Sequence, residues 1–166
     1  MRVSGRSLLP VLFMAIAGAG FAPAATAQTF TTFMKVDGIP GDSVVKGHED
    51  EIVLVSFSQT FGTKNCSRVV ATKSVDRASP LLITAATGNL ILPTVIITIQ
   101  KAGAPPLDFF KVTLSSVLID RIDLGDETGP LSEQVILKPR GIRIEYRPQR
   151  ADGSLGPPIT SDFTCT

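Results

Sequence analysis

The chain has 166 residues, a formal net charge of +1, 43% apolar residues, one tyrosine and no tryptophan. A near-neutral balance with scattered lysines and arginines excludes recruitment by nucleic acid or by an anionic membrane surface, and the lack of indole rings and the single phenol ring argue against an exposed aromatic platform for sugars or bases. A single histidine and two cysteines far apart leave no metal centre, so neither a metal nor another cofactor is expected.

The first segment is an address. Arg2 and Arg6 precede an apolar run over 8–21, and Ala25-Thr26-Ala27 supplies the small-x-small pattern of a secretory signal peptide. The run is shorter than the ~20 residues that span a bilayer. Cleavage between Ala27 and Gln28 is therefore expected, with no stable membrane anchor. Export to the periplasm or beyond would leave 28–166 as a single domain.

Alternation then predicts strands over 31–36 and 51–58, the second apolar on both faces at first, as in a centrally placed strand. Between them Gly38, Pro40 and Gly41 mark a loop, and His48-Glu49-Asp50-Glu51 reads as its solvated end. A loop over 60–65 leads to a strand over 67–74. Ser79 reads as a helix cap, Pro80 as a first-turn residue and Gly88 as a left-handed stop, which gives one short helix over 80–87. Leu82, Ala85 and Ala86 form its narrow apolar stripe.

Val95, Ile97 and Ile99 alternate with Thr94, Thr98 and Gln100 in a strand over 91–101. A short Gly- and Pro-containing turn follows, so the next strand, 107–118, should pair with it antiparallel. The segment 119–124 reads either as an extension of that strand or as a separate one. Strands over 131–138 and 141–147 come next, the latter alternating Ile142, Ile144 and Tyr146 with Arg143, Glu145 and Arg147. A final short strand is expected over 159–165. About seven strands and one helix suit a closed antiparallel barrel or a compact sandwich.

No constellation carries chemistry. Gly41-Asp42-Ser43-Val44 resembles the nucleophile block of GDSL-type esterases, but that family's catalytic histidine lies far downstream, where this chain has none. Phosphate-loop and dinucleotide fingerprints are missing as well. No catalytic residue is therefore assigned. Cys66 and Cys165, in an exported protein, are expected to bond to one another, with bonds between subunits or free thiols as the alternatives.

Several stretches together resemble the haemolysin-coregulated protein (Hcp) family, the tube proteins of bacterial type VI secretion systems. They are Lys35-Val36-Asp37-Gly38-Ile39-x-Gly41-Asp42-Ser43, His48-x-x-Glu51-Ile52, Ser56-Phe57-Ser58, and Asp76-Arg77-Ala78-Ser79-Pro80-x-Leu82 with Ala85-Ala86. Ile97-x-Ile99-x-Lys101-Ala102-Gly103, Val112-Thr113-Leu114 and Ile144-Glu145-Tyr146-Arg147-Pro148-Gln149 follow in family order. The resemblance implies a small antiparallel β-barrel with one helix on its side and a homo-hexamer ring around a wide pore. It also implies stacking of rings into a tube and small effector proteins carried inside. Family members carry no signal peptide, and the loop over 60–65 is shorter than the family's long stacking loop. An exported ring-forming relative is the first reading. The alternative is a monomeric secreted or periplasmic binding or virulence module that reuses the barrel without a secretion tube.

Overall fold

The computed structural model of the chain describes residues 28–62, 65–66, 68–126 and 130–165. The expected leader, including Ala27, lies outside the described residues, and Gln28 is exposed at their start. Strand alternation yields β1 (Phe30–Val36), β2 (Ile52–Ser58) and β5 (Val69–Ser74), with a two-plus-two-residue hairpin, β3 (Phe61–Gly62) and β4 (Asn65–Cys66), where only a loop is expected. Then come α1 (Ser79–Thr87), β6 (Ile91–Lys101), β7 (Leu107–Gly125), β8 (Ser132–Lys138), β9 (Gly141–Tyr146) and β10 (Ile159–Thr164). The segment 119–124 is thus an extension of the preceding strand and not a separate one.

The main sheet runs β10-β9-β7-β6-β1-β2-β5-β8, and β8 pairs again with β7, which closes six strands into a barrel. Every pairing is antiparallel. Closure leaves those six strands without a free edge. The inward residues are those expected from the period of two: Met34 and Val36, Ile52 and Leu54, Val69 and Ala71, Val95 and Ile97, Val112 and Leu114, Val135 and Leu137. Leu82 and Ala85 of α1 join this core from the side.

β7 is the strand that builds both halves of the molecule. Its first part lies between β6 and β9, from Phe110 opposite Tyr146 to Ser115 opposite Gly141. Its second part pairs with β8 from Leu118 opposite Lys138 onward. The register is continuous across the gap, so β8 and β9 are one long partner of β7, interrupted at Pro139 and Arg140. Proline has no N–H to give to a ladder, and on the facing strand Ser116 takes a positive φ of 49°. The hairpin bends there. One half stays in the barrel wall while the other carries β9 and β10 away as an extension.

Two local expectations for α1 are corrected. Ser79 is the first helical residue and its hydroxyl makes no capping bond; Ala78 precedes it in helical geometry. Gly88 keeps a right-handed φ of −81°, and the left-handed residue is Asn89, at φ 51°. Asparagine tolerates that region better than most side chains. β2 also departs from expectation. It is central in the sheet, yet its outward Val53 and Val55 are exposed, Val55 by 70%. Apolar residues on both faces of that strand therefore do not mean burial of both faces.

Candidate assembly surface

Three polar networks hold the barrel's loops. The first encloses the β1–β2 loop. Gly41 N–H donates to the Asp50 carbonyl and Ser43 N–H to the Glu51 carbonyl, at 2.8 and 3.0 Å. A Cβ on Gly41 would lie 2.4 Å from the Glu51 carbonyl oxygen, so only glycine permits this approach. Arg77, just ahead of α1, donates to the Gly41 carbonyl and pairs with Asp42 and Asp50.

The second network is centred on His48. This residue is 4% exposed, against the expectation of a solvated loop. The loop folds back over the outer face of β1, and the imidazole stacks on Phe33 with centroids 4.1 Å apart and planes 2° from parallel. Nδ1 lies 2.8 Å from Glu51 and Nε2 lies 3.1 Å from Asp108, at the start of β7. Burial works against protonation, but hydrogen bonds and charge from Glu51 and Asp108 outweigh it and raise the imidazole pKa above its usual value. Ser43 is not brought to the ring nitrogens; its Oγ accepts the Val45 N–H at 3.2 Å. The arrangement is a clasp between loop and barrel, without a nucleophile.

The third lies inside the barrel. Lys73 and Glu133, directly opposite across β5 and β8, are 0% and 1% exposed. Lys73 Nζ also meets Asp76 at 2.7 Å and Ser79 Oγ at 3.0 Å, and Ser79 donates to Glu133 at 2.7 Å. The Ser79 hydroxyl, withdrawn from capping, ties the helix start to the barrel interior. Sequence reading did not single out this pair. The signal was there: Lys73 occupies an inward slot after Val69 and Ala71, as Glu133 does before Val135 and Leu137. Among the described residues no group of three or more His, Cys, Asp or Glu is placed to hold a metal ion.

What remains on the outside is apolar in places where a lone barrel gains nothing from it. Val53 and Val55 face solvent from the middle of the wall. On the extension, Ile159 is 65% exposed and Phe163 is partly exposed against Phe61, with rings 5.1 Å apart. β10 ends the sheet, so one of its edges has no strand partner among the described residues. At the rim where β1 begins and β9 ends, Phe109 packs against Phe30 at 5.5 Å and edge-on against Tyr146 at 6.4 Å. Composition did not foretell this aromatic cluster, because its three members are distant in sequence.

Cys66 on β4 and Cys165 beyond β10 are joined, with Cα atoms 5.1 Å apart and a sequence separation of 99. The bond anchors the small hairpin to the C-terminal strand. No described helix is long and apolar enough to cross a membrane.

The family described as "Type VI secretion system effector, Hcp" matches residues 33–146. Protein hcp1 of Pseudomonas aeruginosa is 28% identical, the match covering 74% of this chain and 86% of that protein. The crystal structure of Hcp1 from Salmonella typhimurium superposes with a TM-score of 0.72 at 25% identity, covering 81% of this chain and 94% of the other. A type VI secretion system effector from Yersinia pestis shares the fold with a TM-score of 0.69 at 21% identity, over 80% and 98% of the two chains. The match over 33–146 spans the clasp, the Arg77 network, the helix and all of the barrel but the first residues of β1, and the chain belongs to the Hcp family of type VI secretion proteins.

Proposed function

We propose that this protein is an exported Hcp that assembles copies of itself into a homo-hexameric ring with small effector proteins as its cargo. Its mechanism is confinement by shape, and no side chain carries a reaction. The observation that carries this reading is the pair of solvent-facing valines, Val53 and Val55, in the wall of a barrel whose edges are otherwise closed. Interior-type residues placed outside fit burial against another subunit. The apolar extension of β9 and β10 supplies a second, different patch on the same molecule, which a ring requires.

Export rests on the leader pattern that ends at Ala27, and on a cysteine pair suited to an oxidising compartment. The test is the mass in solution of the protein recovered from the periplasm, by analytical ultracentrifugation with intact-mass spectrometry. A sixfold species built from chains that begin at Gln28 is the expected result. A strict monomer at micromolar concentration would overturn the ring in favour of a monomeric binding or virulence module. Chains that retain residues 1–27 would overturn processing.

A further inference from the structure

A cleft of about 790 Å³ opens at the bend of the long hairpin, and Cys66 and Cys165 both line it. Each cysteine is partly buried, packed against the core while also lining the cleft. Around them stand Arg68, Lys138 and Arg140, with Ile91 and Leu118 as apolar wall. Arg68 pairs with Asp120 at 2.8 Å. Lys138 and Arg140 are exposed and form no salt bridge among the described residues. The site is therefore a cleft-lining disulfide beside excess positive charge. A volume in this range suits a small ligand.

We infer that this cleft is a thiol–disulfide exchange site selective for anionic thiols, a class that includes small acidic peptides bearing a cysteine. Two physical effects act in the same direction. The cations raise the local concentration of a thiolate that also carries carboxylates. They also stabilise the protein thiolate that must leave when the bond opens.

In the step itself, the sulfur of the incoming thiolate attacks one protein Sγ and forms a mixed disulfide. The Cys66–Cys165 bond breaks, and its electron pair leaves with the other cysteine as a thiolate in the cleft that Lys138 and Arg140 line. A second thiol then attacks the mixed disulfide. The small thiol is released in oxidised, disulfide form and the protein keeps two thiols, so one oxidation balances one reduction. Opening the bond releases the β3–β4 hairpin from the C-terminal strand, so exchange at this site also loosens the sheet extension.

The test measures the rate at which the native, oxidised protein is reduced by cysteamine, 2-mercaptoethanol and glutathione, whose thiolate forms carry net charges of about 0, −1 and −2. Each rate is normalised to that thiol's reaction with a small neutral disulfide, which removes differences in thiolate fraction and nucleophilicity. Normalised rates should rise about tenfold across the series at low ionic strength and converge in molar salt, where the screening length falls to ~3 Å. Because Lys138 and Arg140 are solvent-facing, the K138E/R140E variant should stay folded and reverse the order. Equal normalised rates in the wild type, an order untouched by salt, or reduction only after global unfolding would each overturn the inference. So would the wild-type order persisting in a folded K138E/R140E variant.

Discussion

Both ring nitrogens of His48 face carboxylates while the flat of the ring lies on Phe33, so its charged form is held by Glu51 and Asp108 in spite of burial. The raised pKa fixes the sign of a pH effect. Stability from this clasp is fully present below the unfolded imidazole value of about 6.5 and is lost as pH rises through the higher folded value. Comparing urea unfolding of the wild type with that of H48N at pH 6 and again at pH 8.5 isolates the contribution. The wild-type advantage should shrink at the higher pH, and an advantage that grew would contradict the assignment of the carboxylates as the dominant influence.

A second residue-scale expectation concerns Lys73 and Glu133. The pair is fully enclosed, and Glu133 Oε2 has no hydrogen-bond partner among the described residues. Removing only the lysine, as in K73M, strands a buried carboxylate and should cost about 3–5 kcal/mol. Replacing both in K73M/E133L removes the stranded charge and should recover more than half of that loss, because apolar pairs of similar volume often substitute for buried ions. Chemical denaturation of the three proteins gives the comparison. Additive losses in the double variant would mean that each residue acts through other contacts.

At the scale of the element, the β1–β2 loop is set by one close approach. The Cβ of G41A would sit 2.4 Å from the Glu51 carbonyl oxygen and 2.5 Å from Ile52 Cα, both backbone atoms that have no room to yield. The loop must shift, and the bonds from Arg77 to the Gly41 carbonyl and to Asp50 shift with it. A cost of about 1–3 kcal/mol in thermal or urea unfolding is expected, in line with overpacking of a tight site. G62A is the control, because a Cβ at Gly62 meets nothing within 4 Å; its stability should stay within ~0.5 kcal/mol of wild type. Equal effects at the two positions would remove the steric explanation.

The elements also mark how far sequence alone reaches. Alternation located the strands that wall the barrel, because Val95, Ile97, Val112 and Leu114 have their inward positions fixed by a period of two. The helix was legible from Pro80 and the apolar stripe. Its ends were not, since Ser79 serves the buried Lys73–Glu133 network and Asn89 takes the left-handed geometry assigned to Gly88. His48 was misread for a related reason: local polarity describes a loop in water, and only the tertiary fold lays that loop over Phe33. The single continuous β7 could not be separated from two strands, because its bend depends on Pro139 across the hairpin. The cysteines were paired from redox compartment alone, while the basic cleft around them is assembled from β4, β6, β7 and β8 and has no contiguous motif.

For the molecule as a whole, the decisive geometric constraint is closure. Six equivalent subunits around one axis must each present two different patches, one to each neighbour, whereas a twofold dimer uses the same patch twice. The wall patch at Val53 and Val55 and the extension patch at Ile159 and Phe163 belong to separate parts of the chain, one on β2 of the barrel and the other on β10 of the extension. In the proposed ring they serve as complements, since each offers aliphatic or aromatic surface whose removal from water stabilises contact by roughly 25 cal/mol per Å². Placing a lysine at the centre of either patch, V55K or I159K, buries an unpaired charge in the contact and should leave a folded monomer. An equimolar mixture of the two variants is the informative sample. Each heterodimer can form one intact contact between the untouched extension of V55K and the untouched wall of I159K, after which both remaining patches are damaged and growth stops. Light scattering should therefore report monomers for each variant alone and dimers for the mixture. Hexamers in either variant alone, or a mixture that remains monomeric, would show that these two surfaces do not meet in the ring.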